Sequence, residues 1–549
     1  MIPLQMLLTS IRDNYQIVGT IDCNSYNNNF ADLYIALQKL KQDSFSPNQR
    51  IMVTITADYY KQQHGVVLQS LQTIVNNVDI SNCFILLVTT NANVRAEYKH
   101  IHDTYNFDDT FFDIEIIDGS YIKLSGDDIQ AYTKNSGITQ NIEQLTKLSQ
   151  KQKDLLFNSK NFCIVPWISL QVGIDNKVAP CCNYSGEVGD ASLDSLETIW
   201  NNKNNQKLRA SMLEDRTVKE CQQCIVEEQY NKTSLRQSIN ADFSHHVNRL
   251  KQGTTPDYKI AYFDSRFNNL CNLSCRICYH GSSSSWHAPA VAVGLLDKDT
   301  PVFLKAGRSK HDLYEQVNEQ IDNIERMYFA GGEPLIMEDN YRILDELDRL
   351  GKHQVELIYN TNMTQSSLKG RSIFDVWKNF SNITVGASLD AEKTRAEYIR
   401  TGTKWDDVIK FRQQMLQKRP DINFFVCSTL SIINALHVPD FHRSWVDKDL
   451  IAPHQFKINT LHYPKWLAVE TAPLYLKELI IEKYETHLDW LRPLDRQGLA
   501  TNGFESVINQ VQTDAEFDSK LFWKNIKPLD AFYKVNLLDD FPELVDLPQ

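Results

Sequence analysis

Eight of the chain's eleven cysteines lie between Cys163 and Cys278, at Cys163, Cys181, Cys182, Cys221, Cys224, Cys271, Cys275 and Cys278. Eleven cysteines in 549 residues are too dilute for a disulfide scaffold, and an odd number cannot pair completely within one chain. Clustered thiols in a reducing compartment read instead as ligands to a metal or an iron–sulfur centre. Cys23, Cys83 and Cys427 stand apart and read as isolated core or surface residues.

The sharpest spacing is Cys271-x3-Cys275-x2-Cys278, three thiols within eight residues. A compact loop of this kind can ligate three irons of a [4Fe–4S] cube and leave the fourth open to a small molecule, whereas a structural site closes all four positions. A zinc knuckle completed by His280 or His287, or three buried structural thiols, would use the same residues. The loop directly follows a strand-like run, and strand ends are where barrel enzymes keep their reacting groups, which favours the iron–sulfur expectation. Fifty-three residues beyond Cys278 a second strand-like run ends in Ala330-Gly331-Gly332-Glu333-Pro334. Paired glycines let a backbone approach a ligand closely, and exposed main-chain groups beside a carboxylate can hold an ammonium.

The elements that must position these residues alternate in type. Strand-like runs recur at 259–267, 326–330, 355–361, 383–388, 423–430 and 455–461. Helical periodicity lies between them, as at Tyr341, Leu344, Leu347 and Leu350, and at Trp405, Val408, Phe411 and Met415. Alternation of this kind is that of a parallel sheet with crossover helices, here six units of a partial barrel. The expected organisation is an α/β chain: an α/β domain over 1–120, with strands at 51–59 and 83–90; a helical linker over 121–160; a small Cys-rich domain over 161–255. The barrel occupies 256–465, and a helical extension over 466–549 opens with a helix at 474–491.

Composition is that of an ordinary globular chain, 42% hydrophobic and 23% charged. A net charge of 57 − 69 = −12 argues against non-specific binding to nucleic acid or to an anionic membrane. No run approaches a membrane span, and the first residues lack the basic region of a secretory signal, so a cytoplasmic location is expected.

Cys271-x3-Cys275-x2-Cys278 followed by the aromatic Tyr279 resembles the signature of the radical S-adenosylmethionine (radical SAM) enzymes, and Gly331-Gly332-Glu333-Pro334 resembles that family's second motif. The resemblance implies a partial (β/α)6 barrel in which Cys271, Cys275 and Cys278 hold a [4Fe–4S] cluster that binds S-adenosylmethionine, with Gly331 to Pro334 at the methionyl amino group. Asn362 and Ser388, and Arg400 in Tyr398-Ile399-Arg400-Thr401-Gly402, are similar to positions that contact the ribose and carboxylate. It implies reductive cleavage to a 5′-deoxyadenosyl radical that abstracts hydrogen from a substrate, peptide, protein or small metabolite. An electron donor such as flavodoxin or ferredoxin is implied with it.

The upstream cysteines lie on a hairpin pattern with a turn at Asp175-Asn176, then a helix-like stretch over 192–200, then Cys221-x2-Cys224. This stretch resembles the twitch domain, a shortened relative of the SPASM domain that carries an auxiliary [4Fe–4S] cluster, and implies Cys163, Cys181, Cys221 and Cys224 as its ligands. Asn176 stands where that pattern usually has glycine, Cys182 competes with Cys181 for the ligand position, and the segment precedes the barrel where many relatives place it after. A zinc ribbon would satisfy the same four thiols. The alternative to an enzyme is an iron–sulfur or zinc protein serving electron transfer or assembly. Ser282 to Ser285 with Trp286 read as a mouth or a solvated loop, and His245-His246 as a polar helix face. Leu461-His462-Tyr463-Pro464 could face a substrate.

Overall fold

The computed structural model describes residues 148–548 except 230–233, 308–311, 462, 496–497 and 514, together with six strands between residues 2 and 124. The helix-like stretches around residues 30–40 and 66–78, the linker before residue 148, Cys23 and His462 lie outside the described residues. Two compact units divide the chain, residues 1–164 with 236–248, and residues 165–235 with 249–549.

In the first unit β1 (Ile2–Pro3), β2 (Gln16–Asp22), β3 (Ile51–Thr56), β4 (Cys83–Thr89), β5 (Phe111–Ile117) and β6 (Tyr121–Leu124) form one sheet in the order β1-β6-β5-β4-β3-β2. The pairs from β2 to β5 are parallel, as the βαβ pattern of this region requires. β6 lies in the stretch expected to be helical. Only three residues separate it from β5, its antiparallel partner. The rest of that stretch is helical where it is described: Ser149 and Gln152 form a capping box that starts the helix Gln150–Lys153.

The second unit is built on a nine-stranded sheet. Its strands are β7 (Ser169–Val172), β8 (Lys177–Ala179), β9 (Gly189–Asp190), β10 (Tyr262–Ser265), β11 (Arg326–Phe329), β12 (Glu356–Thr361), β15 (Ile383–Ala387), β16 (Asn423–Leu430) and β17 (Phe456–Thr460). A small hairpin, β13 (Ser367–Leu368) with β14 (Arg371–Ser372), stands apart from it. The order β17-β16-β15-β12-β11-β10-β7-β8-β9 puts the six expected strands side by side in sequence, and every step among them is parallel. Parallel neighbours need a crossover, and helices of the intervening segments supply it.

α1 (Leu196–Trp200) and α2 (Gln222–Gln229) precede β10, and α3 (Leu313–Asn318) precedes β11. α4 (Glu338–Arg349), α5 (Ile373–Trp377), α6 (Lys393–Ile399) with α7 (Trp405–Lys418), and α8 (Val438–Asp447) complete the alternation. On β11, β12 and β16 side chains alternate between buried and partly exposed. Met327, Phe329, Leu357, Tyr359, Phe424 and Val426 make up the closed face, where Phe329 and Tyr359 stack at 4.7 Å and Trp377 of α5 lies 5.1 Å from Tyr359.

The hairpin β7–β8 continues the same sheet, since β7 pairs in parallel with β10. Its turn forms as expected, Asn176 taking φ 66° and its side chain accepting from Gly307 N at 2.7 Å. The extension beyond residue 465 belongs to the same unit as well. α9 (Leu474–Leu491) and α10 (Thr501–Val511) pack on each other and near β17, and α11 (Ser519–Tyr533) follows. No helix among the described residues is long and apolar enough to cross a membrane.

Between α8 and α9 a buried histidine pair closes the core. His442 Nε2 lies 2.9 Å from the carbonyl of Pro453, so it carries the proton, and Nδ1 accepts from His487 Nε2 at 3.0 Å. Burial pulls His442 down to about 4 and His487 to about 3. Unfolded histidines near 6.5 bind protons that the folded pair refuses, so the folded state loses ground as pH falls from about 6.5 toward 4. Urea unfolding should show a loss of about 4 kcal/mol between pH 7 and pH 5, and a His442→Phe/His487→Leu double variant should at least halve that slope.

Candidate functional site

The segment leaving β10, residues 266–286, has no helix or ladder of its own until Ser284, and neighbours on several sides set its shape. At the end of β11, Ala330 N donates to Ser265 O at 3.1 Å and Glu333 N to Leu270 O at 2.8 Å. Gly332 allows this seat, since a Cβ there would stand 2.1 Å from Leu270 O. From the segment after α6, Ser274 N reaches Thr401 O at 2.9 Å and Arg276 N reaches Ile399 O at 2.7 Å. Gly402, at φ 102°, fits against the carbonyl of Asn272.

Ser283 to Trp286 fold back over the loop and hold its carbonyls. Ser283 Oγ donates to Leu273 O at 2.5 Å, Ser285 Oγ to Cys271 O at 2.7 Å, and Trp286 Nε1 to Cys275 O at 2.8 Å. This serine run is therefore a clamp, neither a mouth nor a solvated loop. Asn362, beyond β12, donates through Nδ2 to Asn272 Oδ1 at 3.0 Å, and Asn272 Nδ2 donates to Thr364 Oγ1 at 2.8 Å.

The last side of the loop is covered by α11, whose part the sequence leaves open. Arg276, with a side chain 1% exposed, pairs with Asp530 at 2.9 Å. Its guanidinium also lies 4.5 Å from the Tyr398 ring and 5.3 Å from that of Tyr533. Tyr398 and Leu537 N donate to Asp530 at 2.8 and 2.9 Å, and Tyr533 donates to Ser274 Oγ at 2.6 Å. No motif announces Asp530 or Tyr533, because the pair spans more than 250 residues of chain.

The three thiols share this one loop and lie within one another's field. All are unpaired cysteines, Cys275 buried and the others half-buried. Burial first, and then the neighbouring thiols, push Cys271 up to about 12; burial pushes Cys275 up to about 12 and Cys278 to about 11. Without a metal they are protonated at neutral pH, and a metal that displaces those protons gains three soft thiolate ligands on one loop. This donor set fits an iron–sulfur centre. His280 and His287 point Nε2 at the carbonyls of Pro301 and Thr300, 2.8 and 2.9 Å away, so these nitrogens face main chain and do not complete a zinc knuckle.

The other expected contacts look different in detail. Glu333 is buried, and Leu335 N, Thr361 Oγ1 and Asn362 N donate to its carboxylate at 3.1, 2.7 and 2.7 Å. Burial raises it to about 7, against the lowering effect of those bonds. Its oxygens tie β11 to β12, so the motif offers no free carboxylate. Pro334 opens the turn behind it. Arg400 is held by the fully buried Asp390 at 2.8 Å, with Nη1 3.8 Å from Cys275 Sγ, and so is already paired. Ser388 is half-buried, its N–H on Thr361 O at 2.8 Å. Tyr279 is 66% exposed.

Upstream, Cys163 is buried in the first unit, where Asn240 Oδ1 accepts from the next amide, Ile164 N, at 2.8 Å. In the second unit Cys181 follows β8, Cys221 ends a short 3-10 turn and Cys224 sits on α2. Ser185 N donates to Glu220 O at 2.9 Å, Tyr184 lies beside both Cys181 and Cys221, and Asn183 Nδ2 lies 3.7 Å from Cys224 Sγ. Burial, and then Asp264, push Cys182 up to about 12, and Cys224 also lies within its field.

Residues 163–225 match the SPASM family model, described as an iron–sulfur cluster-binding domain. The match spans the upstream cysteines and bears out the SPASM-like reading of that segment. A comparison with curated proteins gives no match. Similar solved structures include "Native anSMEcpe with bound AdoMet and Cp18Cys peptide", at 14% identity and a TM-score of 0.30, covering 44% of this chain and 62% of that one. "Native anSMEcpe with bound AdoMet" is similar at 15% identity and 0.30, covering 44% and 63%. The chain spans about three fifths of the length of these structures, and at that TM-score the likeness settles neither fold nor activity.

Two outcomes are expected from this geometry. Gly332→Ala should unseat the loop and speed alkylation of the buried Cys275 in metal-free protein, with far-ultraviolet circular dichroism unchanged. Asp530→Ala leaves Arg276 buried without its counter-charge and should cost about 3–5 kcal/mol in denaturant unfolding, much of it recovered by an Arg276→Met/Asp530→Leu double variant.

Proposed function

We propose that the chain is a radical SAM enzyme whose six parallel strands form a partial (β/α)6 barrel, with an auxiliary iron–sulfur site upstream. The observation that carries this reading is the three-thiol loop at the carboxyl end of the first of those strands, seated on the backbone of Gly331 and Gly332. Cys271, Cys275 and Cys278 would hold a cluster with one iron free of protein ligands, to which S-adenosylmethionine would bind. When bound, the two groups would supply a strong one-electron reduction and the source of a carbon-centred radical.

The chain's own residues bind and orient. The main chain of Gly331 and Gly332 is available to the methionyl ammonium, and Glu333 fixes that main chain by holding Thr361 and Asn362. Ser388 stands at a strand end where it can bond a ribose hydroxyl. Arg400, neutralised by Asp390, keeps donors beside Cys275, and so can meet a carboxylate without adding net charge. The clamp of Ser283, Ser285 and Trp286 and the cover of α11 keep the loop from rearranging.

Cys163, Cys181, Cys221 and Cys224 are the ligands of the auxiliary site in this reading, a second [4Fe–4S] cluster, with zinc the competing occupant. Cys182, in the field of Cys224, competes with Cys181 for the ligand position. The substrate is a peptide, a protein or a small metabolite, the electrons come from a flavodoxin- or ferredoxin-type donor, and the work is done in a reducing compartment.

Anaerobically purified protein should carry about eight irons, falling to about four in a Cys271→Ala/Cys275→Ala/Cys278→Ala variant. The intact protein should form 5′-deoxyadenosine from S-adenosylmethionine with dithionite, and the variant none. Four irons with one zinc would make the upstream site structural, and no iron after reconstitution would overturn the proposal.

A further inference from the structure

The face of the sheet opposite the closed core is polar and carries charges. Strand register sets Asp264 beside Tyr328, Asn360 beside Gly386, Gly386 beside Phe425, and Cys427 beside Lys457. Tyr328 Oη accepts from Asn360 Nδ2 at 2.5 Å, and Asn459 Nδ2 donates to Cys427 Sγ at 2.9 Å. A side chain at Gly386 would stand 2.8 Å from Asn360 Oδ1 and 3.1 Å from the Phe425 ring, so the glycine keeps space open between them.

The cations of this face are matched with one exception. Arg266 is held by Asp264 through two contacts at 2.9 and 3.2 Å, Arg326 by Glu356 at 2.5 Å, and Arg400 by Asp390 at 2.8 Å. Lys457 makes no ion pair among the described residues, and its Nζ lies 3.8 Å over the Phe425 ring. Its side chain reaches solvent, yet the protein around it pulls its ammonium below the ordinary lysine value. A partly desolvated cation without a counter-ion gains most from an incoming anion. Two residues along β16 from Cys427, Thr429 N donates to Asp390 at 2.7 Å, and the partner of Asp390, Arg400, lies 3.8 Å from Cys275 Sγ, so this end of the sheet face leads to the three-thiol loop.

We propose that Lys457, with Asn459 and Cys427 beside it, is an anion subsite that anchors a carboxylate of the substrate on the reaction face. That the carboxylate belongs to a substrate rests on the function proposed above; the subsite itself does not.

Cys427 reports on its neighbour. Iodoacetate and iodoacetamide consume the same thiolate, so the ratio of their rates cancels the thiolate population and reads the attraction for a carboxylate alone. On reconstituted holoenzyme at low salt, followed at the Cys427 peptide by mass spectrometry, the ratio should exceed that of free glutathione about tenfold. Lys457→Met should bring it to the glutathione value, and Lys457→Arg should keep it. An unchanged ratio in Lys457→Met overturns the subsite. Equilibrium dialysis separates the two sources of a carboxylate: a tenfold loss of S-adenosylmethionine affinity in Lys457→Met would give the lysine to the cofactor and overturn the substrate assignment, and an unchanged affinity supports it. A normal ratio shift in protein that forms no 5′-deoxyadenosine would count against the proposed reaction and leave the subsite standing.

Discussion

An eight-residue loop that carries three thiols has no hydrogen-bond ladder of its own, so the entropy of fixing it must be offset from outside. The seat of Leu270 against Gly332 is the contact on which the others rest, because it brings the loop within reach of β11 and so of Glu333, which ties β11 to β12. Once seated, the loop meets Thr401 and Ile399 on one side and Ser283 to Trp286 on another. Each of these contacts uses main chain on at least one partner, and none of them uses a sulfur atom.

Charge is handled with similar economy. The loop and its sheet bury several cations, and a buried charge without a partner is costly. Arg276 is neutralised by Asp530 from the far end of the chain, Arg400 by Asp390 and Arg266 by Asp264. Acidic residues thus stand close to the thiols without leaving uncompensated negative charge, which a thiolate-ligated centre would otherwise have to bear.

Much of this was legible in the sequence. Hydrophobic periodicity placed all six parallel strands to within a few residues, and Leu474 to Leu491 appears as the helix expected there. The close spacing of Cys271, Cys275 and Cys278 announced a shared site because local contacts are written in local sequence. What was not legible is what depends on distant partners. β6 reads as polar linker until β5 lies beside it, and β7 reads as part of a free hairpin until its pairing with β10 is seen. Arg276 looks like an ordinary surface cation until Asp530 and Tyr533 close over it. Glu333 and Arg400 were found by pattern, but their engagement by Asn362 and Asp390 could not be, since hydrogen-bond saturation is a property of the folded chain.

The parallel pairing of β7 with β10 makes the upstream segment part of the sheet's fabric. Were residues 165–255 absent, the amides and carbonyls of Tyr262 to Asp264 would form a bare edge, which invites pairing between molecules. Removing that segment would take Cys181, Cys221 and Cys224 and would at the same time open the border of the sheet beside the strand from which the three-thiol loop leaves.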